Sequence, residues 1–356
     1  MTEPSDAAQP AIRCRNLWQI FGTSAPARLE AALSASGDDA GKAADLLRDE
    51  RLVPAVQNAS FDVRRGELFV IMGLSGSGKS TILRCIARLI EATAGEIEID
   101  GEDIRSAPKS RMTQLRRRKL GMVFQHFGLF PHMNVLANVA FPLKMQGAKR
   151  AERQARAREV IELVGLQGRE DSYPRELSGG QRQRVGIARS LAVNPDVWFL
   201  DEPFSALDPL IRRQLQDEFV DIQKRLKKSI IFITHDIAEA LKIADRIAIM
   251  RAGQIVQIGT PTDIVLNPVD DYVREFAKDV AKGRHARLAS VLGPVSDAAS
   301  PDDPGDPGLR EDMTLEEALA ACMSLYEPVP VHGKDGRIVG MVDPADLARA
   351  CQTGPA

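Results

Sequence analysis

An α/β fold is predicted for most of this chain, followed by a smaller α+β unit. Three observations carry that expectation. Short apolar runs, such as 67–72, 197–200 and 229–234, alternate with stretches of helical periodicity. A glycine-rich loop, Gly73-Leu74-Ser75-Gly76-Ser77-Gly78-Lys79-Ser80-Thr81, follows one such run and opens a helical stretch. Polar residues (Gln125, the pair Asp201-Glu202, and His235) end other apolar runs, which is where open α/β sheets bind ligands.

The glycine loop is the anchor of the reading. Gly73 and Gly78 have four residues between them and are followed by Lys79 and Ser80, the pattern of a phosphate-binding loop. Glycines let successive N–H groups curl toward phosphate oxygens. Lys79 adds a point charge for the β- and γ-phosphates, and the Ser80 hydroxyl is a Mg²⁺ ligand by type. Residues 80–91 read as a helix with Ile82, Leu83, Ile86, Leu89 and Ile90 on one face. The loop thus opens a helix N-terminus, where the dipole favours an anion.

Length and composition bound the rest. The 356 residues suggest two domains. A net charge of −2 gives no global reason to expect nucleic acid, and the run Arg116-Arg117-Arg118-Lys119 reads as a solvated helix face. The four cysteines, Cys14, Cys85, Cys322 and Cys351, lack metal-ligand or paired spacing, as expected of reduced thiols in cytosol. No signal peptide is expected, because the first residues are polar and acidic. No apolar run approaches the ~20 residues that span a bilayer. A membrane role would therefore come through partner subunits.

Taken in order, residues 1–10 are expected to be a disordered tail. Residues 11–17 suggest a strand, followed by Trp18-Gln19-Ile20-Phe21-Gly22. An aromatic there could stack on adenine; equally, Trp18 or Phe21 could be core. Residues 23–52 carry two helical patterns, with Leu29, Ala32 and Leu33 on one stripe and Ala43, Leu46 and Leu47 on the other. Strand-like alternation returns at 53–64. Residues 95–101 alternate and end in a turn.

Gln125 closes an apolar run and starts a loop; alone, it also fits a solvated loop amide. Residues 135–165 read as two helices parted near Gly147. Leu177-Ser178-Gly179-Gly180-Gln181 opens another helix, giving a second anion-binding N-terminus or an ordinary cap. Asp201-Glu202 offers a division of labour. The first carboxylate would support Mg²⁺, and the second would orient or deprotonate water. Ser205-Ala206-Leu207-Asp208 follows. His235 lies just beyond a further apolar run.

In this order the phosphate loop, Gln125, residues 177–181, Asp201-Glu202, residues 205–208 and His235 resemble an ABC-transporter nucleotide-binding subunit over roughly 11–281, with a helical subdomain at about 126–180. The resemblance implies a homodimer with ATP between the phosphate loop of one copy and residues 177–181 of the other. It implies phosphate binding by Lys79 and by the loop from Gly73 through Ser75, Gly76, Ser77 and Gly78 to Thr81. Mg²⁺ would be held by Ser80, Gln125 and Asp201. Glu202 would be the general base and His235 the γ-phosphate contact. Ser178, Gly179, Gly180 and Gln181 would close the site, Asp208 would couple the two sites, and Trp18 would stack on adenine.

A narrower resemblance is to the bacterial quaternary-amine importers, which take up glycine betaine, proline betaine or choline. It rests on 16–22, the helical insertion, 71–80, 205–212 and Asp271-Tyr272-Val273-Arg274. It implies permease partners, a periplasmic or extracellular binding protein that meets the solute, no nucleic acid, and a place on the cytoplasmic face of the cell membrane. An importer of another small solute is the alternative, and a soluble ABC ATPase outside transport is a more distant one.

Residues 282–309 read as a Pro-, Asp- and Gly-rich linker. Beyond it, 310–356 reads as helix, strand, strand, helix, with Thr314 and Glu317 spaced for a capping box. This resembles one cystathionine-β-synthase-type (CBS-like) regulatory repeat where the importer family usually has two. Asp346 matches a ribose-holding carboxylate, but Asp343 replaces the usual Thr or Ser, which argues against an adenosine ligand. Ionic-strength sensing is the looser expectation.

Overall fold

The computed structural model describes residues 9–125, 128–277, 287–292, 308–322, 328–333 and 335–353. Most of the expected tail, most of the expected linker, His126 and Phe127 beyond Gln125, and the side chain of Cys351 lie outside the described residues. The chain divides into two compact units, 1–239 with 248–256 and 240–247 with 257–356.

The first unit begins with β1 (Ile12–Phe21), the helices α1 (Ala25–Ser36) and α2 (Ala40–Asp49), and β2 (Val53–Val63). The helices form an antiparallel pair inserted between two neighbouring strands. They bury Ala25, Leu29, Ala32, Ala43, Ala44 and Leu47, while Leu46 faces solvent at 40% exposure. Trp18, Ile20 and Leu52 complete that small core. β3 (Leu68–Met72) is buried at every position, as a strand covered on both faces must be.

α3 (Lys79–Ile86) follows the glycine loop. It stops before the expected Glu91, because the chain leaves the helix with Arg88 at φ +50°. Leu89 is consequently 47% exposed rather than part of a continuous apolar face. β4 (Ala94–Ile99) turns through Asp100 and Gly101, both at positive φ, into the short β5 (Glu102–Asp103). β1, β2, β4 and β5 make a four-stranded sheet in the order β2-β1-β4-β5.

α4 (Lys109–Arg118), β6 (Leu120–Val123), α5 (Val135–Met145), α6 (Arg150–Leu163), α7 (Gly179–Leu191), β7 (Val197–Asp201), α8 (Pro209–Leu226) and β8 (Ser229–Thr234) come next. α9 (Ile237–Ile243), β9 (Arg246–Arg251) and β10 (Gln254–Gly259) close the series. The main sheet runs β10-β9-β3-β8-β7-β6, and its pairs β3·β8, β8·β7 and β7·β6 are parallel. Parallel pairing puts the ends of β3, β6, β7 and β8 on one edge, so the residues that follow them meet there. The core beneath is aromatic: Trp198, Phe204, Phe219 and Phe232 are buried with ring centroids 5.5–6.0 Å apart. The Trp198 indole donates to Ser190 Oγ at 2.9 Å, so the ring carries no unsatisfied donor.

The second unit continues with α10 (Pro261–Leu266) and α11 (Asp271–Ala277). A three-stranded sheet follows, made of β11 (Leu309–Arg310), β12 (Val329–His332) and β13 (Ile338–Val342), with helices α12 (Leu315–Cys322) and α13 (Pro344–Thr353). β11 runs parallel to β12, and β12 antiparallel to β13. Leu288, Leu309, Leu315, Ala318, Val331 and Leu347 are fully buried in its core. The Thr314–Glu317 box caps α12: Thr314 N–H donates to Glu317 Oε2 at 2.8 Å, and Glu317 N–H to Thr314 Oγ1 at 3.2 Å. Asp343 caps α13, accepting from the Ala345 N–H at 2.7 Å.

Candidate functional site: a phosphate cradle at the sheet edge

β3 delivers the chain into the glycine loop, and backbone contacts fix the loop's shape. A Cβ on Gly73 would fall 2.2 Å from the Met250 carbonyl oxygen, and one on Gly78 would fall 2.2 Å from that of Ala55. Both glycines also have positive φ, +154° and +103°. No other residue fits either position.

Inside the loop, Lys79 is 5% exposed, and its ammonium donates to the carbonyls of Gly73 (2.8 Å) and Leu74 (3.0 Å). Burial lowers its pKa, opposed by the nearby carboxylates of Glu202 and Asp201. Ser77 is buried, and its hydroxyl has no hydrogen-bond partner among the described residues. A buried hydroxyl left unbonded is costly unless a ligand completes it. Ser75 and Gly76 are exposed, with open space beyond Gly76. Thr81 is half-buried in the first turn of α3. The cradle therefore offers a cation, a spare hydroxyl and open glycine backbone to an anion.

Ser80 Oγ donates to Asp201 Oδ1 at 2.7 Å, and Asp201 is 4% exposed. A hydroxyl and a carboxylate in contact suit a hard cation that takes its remaining oxygens from phosphate and water. Gln125 fits the same set, since its Nε2 is turned to Glu202 and Ser205 and its Oε1 is left over. Among the described residues no group of three or more His, Cys, Asp or Glu side chains could hold a metal alone. Mg²⁺ in such sites leans on substrate phosphates instead.

Glu202 does not continue β7. It leaves the strand at φ +45°, a conformation that costs a non-glycine residue about 1–3 kcal/mol. The turn presents its carboxylate at the sheet edge. Glu202 Oε2 is 3.1 Å from His235 Nδ1 and 3.4 Å from Gln125 Nε2. Ser205 Oγ donates to the Glu202 carbonyl at 3.0 Å. Residues 77 to 235, far apart in sequence, thus converge beside the cradle.

Residues 178–181 and Asp208 make a second group. Ser178 and Gln181 form a reciprocal cap at the start of α7: Ser178 N–H donates to Gln181 Oε1 at 2.9 Å, and Gln181 N–H to Ser178 Oγ at 3.3 Å. The Gly179 and Gly180 N–H groups remain first-turn donors without helical acceptors. Their would-be Cβ atoms meet Leu207 at 3.5 Å and Ile211 at 2.7 Å, which border Asp208. Asp208 itself caps α8, accepting from the Ile211 N–H at 3.0 Å. Among the described residues no hydrogen bond joins 178–181 to the glycine loop or to Glu202.

Trp18 requires a correction. It is 3% exposed and packed against the α1–α2 insertion, so it has no free face for a base. Phe21 is the exposed aromatic, at 43%. It pairs with Val53 on β2, two residues before the Ala55 carbonyl that abuts Gly78.

Fold and site together define a phosphate-loop nucleotide triphosphatase. The ABC transporter family model matches residues 56–205. The trimethylamine N-oxide transport system ATP-binding protein TmoW of Pelagibacter ubique is 47% identical over 340 residues, covering 96% of this chain and 97% of that protein. The glycine betaine/proline betaine transport system ATP-binding protein ProV of Escherichia coli is 48% identical over 273 residues, covering 76% and 66%. The dimeric post-hydrolysis structure of the ATP-binding cassette MJ0796, bound to ADP and Pi, superposes with a TM-score of 0.58 at 30% identity, covering 70% of this chain and 98% of that one. The chain belongs to the family of ABC-transporter ATP-binding subunits and is an ATPase of that family. No helix among the described residues is long and apolar enough to cross a membrane.

Proposed function

We propose that this chain hydrolyses ATP at two sites shared by a homodimer and so powers import of a small methylated amine. The observation that supports it is the separation of the two groups of side chains. In this reading the cradle, Asp201, Glu202 and His235 form one half-site, while 178–181, with Asp208 beside them, face the other copy; among the described residues no hydrogen bond joins 178–181 to the cradle or to Glu202. ATP bridging one group of each kind would pull two copies together, and loss of the γ-phosphate would release them.

In this reading Lys79 and the loop N–H groups hold the phosphates, and Phe21, not Trp18, stacks on adenine. Ser80, Gln125 and Asp201 would hold Mg²⁺, which neutralises phosphate charge when bound. Glu202 takes the proton of the attacking water. His235, 3.1 Å from that carboxylate, orients it and reaches toward the γ-phosphate. Glu202→Gln should retain ATP affinity while turnover falls about 10²–10⁴-fold, the range for losing a general base. Undiminished hydrolysis by that variant would remove Glu202 from the role.

In this reading the permease docks in a cleft of the first unit. A cleft of about 460 Å³ opens among α4, β6, α5 and α7, lined by Leu89, Met122, Phe124, Phe130, Phe141 and Met145, with arginines at its edge. An apolar cleft rimmed by charge suits an amphipathic helix. The chain would then work at the cytoplasmic face of the membrane, and a separate binding protein would select the solute.

Two solute groups fit the relatives: quaternary amines such as glycine betaine, proline betaine and choline, and trimethylamine N-oxide. Identity is similar to both kinds of relative, 47% to the P. ubique protein and 48% to ProV. Calorimetry of the cognate binding protein with each solute tests the assignment.

The β–α–β–β–α order at 309–353 supports a single CBS-like repeat that pairs with its copy in the dimer. Asp343 is occupied in capping α13, which leaves little reason to expect an adenosine ligand there. A chain truncated after Ala281 should lose salt-dependent regulation of transport. An unchanged salt response would end that idea.

A further inference from the structure

Two loops carry the chemistry at the sheet edge. One follows β7 and bears Glu202, Ser205 and Asp208; the other follows β8 and bears His235. A single guanidinium spans both. Arg212, one turn into α8, donates through Nη2 to the carbonyls of Leu207 (3.2 Å) and Ser205 (3.4 Å). Through Nη1 it donates to Asp236 Oδ2 at 3.4 Å.

Asp236 is the residue after His235, and its other oxygen is already engaged. The Glu239 N–H donates to Asp236 Oδ1 at 3.2 Å, and the Asp236 N–H donates to Thr234 Oγ1 at 3.0 Å. Asp236 thus stands between the start of α9 and Arg212. On the other side, Ser205 links back to the site: its hydroxyl donates to the Glu202 carbonyl and accepts from Gln125 Nε2 at 3.3 Å. The Arg212 side chain is 26% exposed, and its Nε is buried with no hydrogen-bond partner among the described residues. Among the described residues no hydrogen bond or ion pair joins Arg212 to Glu202, to His235 or to the glycine loop.

We propose that Arg212 is a positioning residue for hydrolysis, fixing the loop of Glu202 and Asp208 against the loop of His235 through Asp236. The assignment rests on the roles given above to Glu202 and His235. Carbonyl acceptors on one side and a carboxylate on the other require a planar fork with several donors, which lysine lacks. If the fork is lost, each loop keeps its strand and helix cap but the two move independently. Misplacement of reacting groups by about 1 Å can cost ~10²-fold in rate. ATP binding at the cradle needs neither loop's registration and is left alone.

The test is a double-mutant cycle on the full chain: Arg212→Gln, Asp236→Asn and both together, with Arg212→Lys as the charge-retaining control. kcat and KM for ATP, affinity for a fluorescent ATP analogue, and melting temperature are read for each. Each single variant should lower kcat by about tenfold or more, with KM and analogue affinity within about twofold of the parent. The double variant should be no slower than the slower single one, and Arg212→Lys should fall between. Turnover of Arg212→Gln at the parent rate, or a double loss equal to the product of the single losses, would overturn the proposal. A Glu202→Gln variant that still turned over would instead sink the roles beneath it, and the two failures are read separately.

Discussion

Phe21 and Trp18 lie three positions apart on one strand, yet they differ in exposure, 43% against 3%. Their substitution should separate binding from stability. Phe21→Ala should weaken ATP binding by about 1–3 kcal/mol, the value of one base–aromatic stack, and leave the melting temperature nearly unchanged. Trp18→Ala should do the reverse, because emptying a buried indole site costs about 3–5 kcal/mol of stability. Equilibrium binding and thermal unfolding of both variants check this. The sequence could not distinguish the two residues, because alternation fails along β1. Asn16 has φ +48°, and the register against β2 shifts three times between Cys14 and Ile20. Four consecutive residues, 17–20, end up buried. The residues of the glycine loop needed no such parity, since their spacing alone states the chemistry.

At the scale of elements, the proposed function gives the N-terminus of α7 two ends. Ser178 caps the helix, and the first-turn N–H groups of Gly179 and Gly180 would be left for the partner's nucleotide. A change that keeps the cap but adds charge separates the roles. Ser178→Asp should hold the melting temperature, since aspartate caps about as well as serine. It should abolish ATP-dependent dimerisation and hydrolysis, because a carboxylate would meet the γ-phosphate. Light scattering with and without ATP reads the outcome, and dimerisation at the parent level would contradict the outward role. Strands and helices were legible from periodicity, and an ordinary cap at 177–181 from Ser178 followed by two glycines before a helical stretch. The stop of α3 at Ile86 was not, since Leu89 and Ile90 continue the apolar pattern past the point where Arg88 turns the backbone. The left-handed turn at Glu202 was also hidden, because 197–202 reads as one uninterrupted strand.

For the whole molecule, the convergence of Gln125, Asp201, Glu202 and His235 follows from parallel strands that end on one edge. Their order was readable, but the contacts between loops were not. Arg212 sits in plain sight after Asp208, and nothing in its neighbours in sequence points to Asp236. The cleft by α5 likewise has no linear signature, being assembled from α4, β6, α5 and α7. Met145, 43% exposed at its edge, offers a mild test. Met145→Glu should leave basal ATP hydrolysis within about twofold and reduce co-purification with the permease, because a surface change of this kind usually costs under ~0.5 kcal/mol of stability. Retained co-purification would move the docking surface elsewhere.

The ammonium of Lys79, clasped by the Gly73 and Leu74 carbonyls, has a consequence for how cargo arrives. Those two bonds tie the far end of the side chain to the start of its own loop and keep the backbone wound. The entering nucleotide then swaps one set of bonds for another and need not fold its own receptacle. Little ordering entropy stands against capture. Mutations that shorten residue 79 should therefore slacken the empty loop as well as the loaded one, visible as faster amide exchange across 73–80 before any ATP is added.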